Sequence, residues 1–193
     1  EEQSSDYQGS APLRAKFEAN IANADGWDAH FEWRFYTDQK RQTPYLVRFE
    51  QNTEVTFTVA GMHYVELFAT FVQGNDTVEY KQEYWKTADP IHVSIAESKL
   101  EMPNAFTPNG DGVNDVYQAK PGYQSLVEFK AYIFNRWGQK LYEWNNPALG
   151  WDGKFNGQDV KEGVYFVLVN AKGADGKVFN IKKDVNLLRS YRE

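Results

Sequence analysis

Seven consecutive residues, Asn109-Gly110-Asp111-Gly112-Val113-Asn114-Asp115, place four oxygen-bearing side chains around two glycines. Oxygens at alternating positions, with glycines between them, suit a tight wrap around Ca²⁺, which takes about six to eight oxygen ligands. A cage here would use the Asn109 and Asp111 side chains, the Val113 carbonyl and Asp115. The loop lacks the third acidic position and the bidentate glutamate of an EF-hand. The competing expectation is an Asx loop, in which the same oxygens satisfy the backbone amides of their own turn. Both readings stand at this point.

Other residue types offer less. His30, His63 and His92 lie in or beside segments of strand character with no metalloprotease spacing, and ordinary strand histidines are expected. No nucleophile elbow, phosphate-binding Gly-Lys loop or dinucleotide fingerprint occurs. Among 27 acidic residues no catalytic pair stands out. The chain is expected not to be an enzyme. Six tryptophans raise a binding alternative, because exposed indoles stack on sugar rings. Trp137, Trp144 and Trp151 fall at or next to turns, and Trp27 and Trp85 near loops. They would serve a carbohydrate-binding module, or else Trp137 and Trp151 plug the ends of a β-sandwich. Trp33, between Phe31 and Phe35, reads as core.

The elements that must position these residues are strands. Phe31, Trp33 and Phe35 alternate with polar residues, as do Val55, Phe57 and Val59. Val65, Leu67, Ala69 and Phe71 share a face, and so do Ile91, Val93 and Ile95. Further on, Val127, Phe129, Ala131 and Ile133 repeat the pattern. Period-two runs rich in β-branched and aromatic residues are half-buried strands. The stretch 163–170 is apolar on both faces, which predicts a central strand. Asn135-Arg136-Trp137-Gly138 predicts a type I turn with a glycine bulge, and Asp175-Gly176 a second hairpin. No helix of about ten residues is expected. The fold class is all-β: two consecutive immunoglobulin-like β-sandwich domains, 11–97 and 98–193, divided where Glu97-Ser98-Lys99 interrupts the apolar pattern.

Composition narrows the partners. A formal charge of −6, with no basic run longer than two residues, argues against nucleic acid. With no cysteine, disulfides and thiolate metal sites are excluded. The 41% hydrophobic and 16% aromatic content calls for a packed core. No apolar run is long enough for a transmembrane helix. The polar opening Glu1-Glu2-Gln3-Ser4-Ser5-Asp6 reads as a short tether, either at a processed terminus or at the cut end of an expressed fragment.

The run Met102-Pro103-Asn104-Ala105-Phe106-Thr107-Pro108 leading into the Asn109–Asp115 loop closely resembles the opening of the gliding-motility-associated C-terminal domain, the type B sorting domain of type IX secretion. Asn135-Arg136-Trp137-Gly138-Gln139, Gly150-Trp151-Asp152-Gly153, Gly163-Val164-Tyr165-Phe166 and Leu187-Leu188-Arg189 follow in the family's order. Two departures are Lys183-Asp184 before the closing strand, where the family often has glycine, and the tail Ser190-Tyr191-Arg192-Glu193 after it. The resemblance implies that Asn104, Asn109, Asp111, Asn114, Asp115, Arg136, Gly138, Trp151, Asp152, Gly153 and Arg189 carry recognition or structural identity. The first domain, through Phe31-Glu32-Trp33-Arg34-Phe35, Val55-Thr56-Phe57 and Gly61-Met62-His63-Tyr64-Val65-Glu66-Leu67, resembles the PKD-like immunoglobulin-like domains that precede this module.

These resemblances imply a non-enzymatic protein of the extracellular space or outer-membrane surface of a Gram-negative bacterium. Its expected partners are outer-membrane export or surface-attachment machinery, surface glycans or other envelope proteins. The first domain would be a spacer or adhesion module. A free sheet edge, with the segment 178–189 as a candidate, would accept a partner by β-augmentation.

Overall fold

A computed structural model describes residues 6–189. Of the expected tether, residues 1–5 lie outside the described residues, as does the tail at 190–193, while Asp6 opens a strand and pairs with His92. The chain divides into two compact units, Glu1–Ala96 and Glu97–Glu193, and almost all of its regular structure is strand.

The first unit contains β1 (Asp6–Gly9), β2 (Leu13–Glu18), β3 (Asp28–Tyr36), β4 (Leu46–Arg48), β5 (Asn52–Phe57), β6 (Gly61–Gln73), β7 (Asp76–Tyr80) and β8 (Ile91–Ile95). One helical turn, α1 (Gln82–Trp85), separates the last two strands. The large sheet runs β1-β8-β6-β3-β4, with β7 continuing along the far half of β6, and β2 pairs β5 to form the small second sheet. Strand β1 begins ahead of the expected domain start at residue 11 and is parallel to β8. Aromatic residues join the layers: the Phe17 ring stands 5.4 Å from Phe35 and 5.7 Å from Trp33. Trp33 is buried, its indole N–H directed at the Glu50 and Gln51 carbonyls, as its place among alternating aromatics requires.

The second unit contains β9 (Ala105–Phe106), β10 (Leu126–Phe134), β11 (Lys140–Trp144), β12 (Lys154–Phe155), β13 (Gln158–Asp159), β14 (Gly163–Gly173) and β15 (Val178–Leu187). Five of them form the sheet β11-β10-β14-β15-β9, and β12 pairs β13. Strand β14 is central, yet Val164 and Phe166 on its outer face are exposed, so its two apolar faces mean one core and one surface. Phe129, Ala131 and Ile133 point into the core as their alternation predicts. Val127 does not. A register shift between Leu126 and Glu128 reverses the facing there, leaving Val127 exposed and packing Leu126 against the core.

The β14–β15 hairpin also anchors the start of its unit. The Asp175 carboxylate accepts the Ser98 N–H at 3.0 Å and the Ser98 hydroxyl at 2.7 Å. These bonds, the hydroxyl's first, hold the Asp175 pKa down at about 2. A depressed carboxylate adds stability above its ordinary range, and this support fades only as pH falls toward 2.

Candidate recognition face of the C-terminal unit

The Asn109–Asp115 loop is held by its own acids. Asp115 Oδ1 accepts the Gly110 N–H at 2.7 Å, and Asp115 Oδ2 the Gly112 N–H at 2.8 Å. Asn109 Oδ1 accepts the Asp111 N–H at 3.0 Å, and Asp111 Oδ1 the Val113 N–H at 2.8 Å. The loop is closed by Thr107, whose N–H reaches the Asn114 carbonyl at 2.8 Å. The Asn109 and Asp111 bonds are successive Asx turns, and Asp115 reaches back across them to the two glycine amides. The Gly110 and Gly112 amides hold the Asp115 carboxyl below the usual carboxylate range. The side-chain oxygens that a calcium cage would use thus accept backbone amides of the loop, and the Val113 carbonyl accepts the Thr107 hydroxyl at 3.2 Å. Among the described residues, no group of three or more His, Asp or Glu is placed to hold a metal ion.

Trp151 lies below this loop. Its ring has no exposure and stands 5.4 Å from Phe106 and 5.1 Å from Tyr165, with Nε1–H donating to the Lys154 carbonyl at 2.7 Å. Its backbone exchanges hydrogen bonds with Tyr117 at 2.8 and 3.0 Å. Asp152 Oδ1 accepts the Lys154 N–H at 3.1 Å and shapes the turn at Gly153. That turn needs glycine twice over. Its φ is +78°, and a Cβ would lie 3.0 Å from both the Arg189 guanidinium and the Pro108 ring.

Arg189 joins the pieces. Its guanidinium donates to the Pro108 carbonyl at 2.8 Å, the Gly153 carbonyl at 2.7 Å and the Val160 carbonyl at 3.3 Å, and lies 3.3 Å from Asp159. A planar fork of five donors satisfies three separate carbonyls where a lysine could not. Two residues past the end of β15, Arg189 thereby clamps the loop after β9, the Gly153 turn and the segment leading into β14. Asn104 works beside it: its carbonyl accepts the Asn186 N–H at 2.9 Å, and its side-chain oxygen accepts from Lys183 Nζ.

The Asn135–Gln139 hairpin sits at the same end of the sheet. Phe134 pairs with Phe166, Phe166 with Asp184 and Gly163 with Leu187, so the turn projects from the end where β15 finishes. Asn135 Oδ1 accepts the N–H groups of Trp137 and Gln139, each at 3.0 Å. Gly138, at φ +79°, supplies the expected bulge. Trp137 does not plug the sandwich. It is 75% exposed, because the turn carries it past the last core layer, and the Arg136 guanidinium lies 4.3 Å above its ring.

The motif residues therefore fall into two groups: Trp151, Asp152, Gly153, Arg189 and Asn104 build the closure, while Arg136, Gly138 and the Asn109–Asp115 loop surround it at the surface. The histidines do not converge. His63 is buried between the Tyr45 hydroxyl at 3.0 Å and the Val59 carbonyl at 2.9 Å, and His92 lies 2.9 Å from Asp6. Glu66, buried in the first unit, is not among the residues singled out from the sequence for chemistry. Its position between apolar neighbours inside a long strand was the available signal.

Residues 100–183 match the family model of the CHU_C type IX secretion signal domain. No curated protein matches the chain. A type IX signal marks a secreted or cell-surface protein, engages the secretion machinery, and is a sorting device rather than a catalyst. No helix among the described residues is long and apolar enough to cross a membrane. The match falls on the strands and turns just described and ends before Arg189, and the C-terminal unit is similar to the CHU_C type IX secretion signal domain.

Proposed function

We propose that the C-terminal unit carries this chain through outer-membrane export machinery and leaves the first unit on the cell surface as a PKD-like spacer or adhesion module. The observation behind this reading is the gathering of the sorting-type motif at one end of the sheet, where Arg189 ties its separate pieces together and Trp137 with Arg136 stands out from it. An exposed aromatic beside a guanidinium is the kind of pair that anchors protein interfaces. The test is protease shaving of intact host cells producing either the full precursor or one lacking residues 99–193. The full protein should be cleaved from outside and the truncated one protected. Equal exposure of both would remove the sorting role.

In this reading the Asn109–Asp115 loop is a rigid surface, not a calcium cage. Its support is that each carboxylate already accepts backbone amides. Calorimetric titration of chelator-treated protein with Ca²⁺ should give no binding heat and no rise in Tm. A saturable signal abolished by Asp115→Asn would restore the metal.

A carbohydrate-binding role, the alternative, finds less support in its tryptophans than the sorting role does in its motif. Trp137 stands alone as an exposed indole, and the Tyr80–Tyr84 and Tyr84–Trp85 pairs of the first unit meet at 87° and 88°.

A further inference from the structure

The two sheets of the first unit are unequal, and the difference leaves a cleft of about 820 Å³. Its floor is the large sheet, through Phe31, Leu67, Phe71 and Ile91. An unbroken edge-to-face series of rings runs along it: Phe31–Phe71 at 6.3 Å, Phe71–Tyr80 at 6.2 Å, Tyr80–Tyr84 at 5.7 Å and Tyr84–Trp85 at 5.1 Å. The opposite wall is formed by six consecutive residues, Lys16 to Ile21. Side chains of one strand alternate between faces, so consecutive residues line a cleft only when the strand presents its edge.

That edge is unpaired. Among the described residues β2 has β5 as its sole strand neighbour. The Ala19 N–H donates to the Gln51 carbonyl in continuation of the β2–β5 register, which fixes the hydrogen-bonding phase. Residues 13, 15, 17 and 19 direct their backbone groups toward β5, and the N–H and C=O groups of Arg14, Lys16 and Glu18 point the other way. Arg14 is ion-paired with Glu54, whereas neither Lys16 nor Glu18 makes an ion pair among the described residues. The free edge thus carries open backbone donors and acceptors and two opposite charges, above an apolar floor.

We propose that this cleft binds an extended polypeptide segment, which adds to β2 as a third strand of the small sheet. Every second side chain of the segment lies against Phe31 and Phe71. On its solvent face an acidic residue stands opposite Lys16 and a basic one opposite Glu18, as cross-strand pairing favours. Strand β2 itself, Leu13–Glu18, is about 20 Å long at roughly 3.3 Å per residue, the length of an ordinary strand. The occupant is a segment of another protein rather than a second copy of the chain, whose own β2 would bring a large sheet toward the layer that the floor already fills. The proposal concerns the first unit and is independent of the sorting role.

The test starts with selection from a displayed random nonapeptide library on the full chain. The peptides enriched should alternate apolar residues with charges of both signs. Lys16→Pro removes one outward N–H that makes no bond within the fold, so the variant should keep its thermal midpoint and bind those peptides about tenfold or more weakly. Exchanging the charges, Lys16→Glu with Glu18→Lys, should reverse the charge order selected, and this variant leaves the backbone untouched. Hydrogen exchange with a selected peptide bound should slow at the Lys16 and Glu18 amides and stay unchanged at Ala15 and Phe17. Failure to enrich peptides, or peptides insensitive to both variants, overturns the proposal. So does binding of xylohexaose or cellohexaose to the same cleft unaffected by Lys16→Pro, which would make it a sugar site. A concentration-dependent dimer in sedimentation, lost in Lys16→Pro, would instead give the edge to a second copy.

Discussion

Replacing Trp151 with alanine is expected to destabilise the C-terminal unit by about 3–5 kcal/mol, the usual cost of emptying a large, fully buried aromatic site. The indole has no exposed surface, touches Phe106 and Tyr165, and donates to the Lys154 carbonyl. The space it leaves cannot collapse readily, because Arg189 and the Trp151–Tyr117 backbone pair fix the walls around it. Against a total stability of about 5–15 kcal/mol, the loss is a large share. Trp151→Phe keeps an aromatic ring but leaves the Lys154 carbonyl without its partner, so it should cost clearly less. Hydrogen exchange of β14 and β15 peptides measures both. A Trp151→Ala protein whose β14 amides open no more easily than those of the wild type would show that the indole is not the keystone. The same variant should be retained inside cells, since the end of the sheet that carries the motif would no longer hold its shape.

The C-terminal unit was legible in its sequence because its motif residues answer local demands. A turn with Gly138 at φ +79° and a bulge behind it can be read from Asn135-Arg136-Trp137-Gly138 alone. What the sequence did not disclose was how the pieces meet. Arg189 bonds to carbonyls at residues 108, 153 and 160, far away in the chain, and nothing local to Leu187-Leu188-Arg189 names those partners. The fate of the two turn tryptophans was equally nonlocal. Trp151 and Trp137 each precede a turn glycine closely, yet one is sealed in the core and the other projects. Their difference lies in whether the turn folds back over Phe106 or continues past the sheet. The oxygens of the Asn109–Asp115 loop were visible, but ligand spacing and Asx-turn spacing coincide in sequence; only the direction of the carboxylates separates them.

In the first unit the strands with strict alternation were readable, including β3, β5, β6 and β8. Strands β1, β2, β4 and β7 were not singled out. Strand β7, Asp76–Tyr80, is exposed along its whole length, so no core imposes a period of two on it. Strand β1 has four residues, too few to show a period. Strand β6 carries a further surprise: Val65, Glu66 and Phe68 are all buried, so a strand read as one-faced is covered on both sides. Burial of a carboxylate on the second face has a consequence for stability.

Arg41→Met should destabilise the first unit by about 3 kcal/mol at neutral pH, the lower part of the range for removing one partner of a buried ion pair. Glu66 is 1% exposed, and Arg41 Nη1 lies 2.8 Å from its Oε1. Glu66 Oε2 has no hydrogen-bond partner. Burial pushes the Glu66 pKa up; Arg41, the Tyr36 hydroxyl and Arg34 pull against it without restoring its ordinary value. A folded-state pKa above the unfolded one means that the folded chain holds the extra proton between the two. Stability from this group therefore falls as pH rises from the ordinary carboxylate range through the raised value, and is level beyond it. Removing the Arg41 charge raises Glu66 further, so the variant should lose more stability over a wider pH span and approach the wild type in acid. Glu66→Gln should flatten the slope. Making both sites apolar, Arg41→Met with Glu66→Met, should recover most of the loss, because no unpaired charge then remains inside. Hydrogen exchange of β3 and β6 peptides at several pH values reads the difference from wild type and leaves the acids of the C-terminal unit out of the comparison. An Arg41→Met protein as stable as the wild type at neutral pH, with an unchanged slope, would mean that water reaches Glu66 and that the pair contributes nothing to the fold.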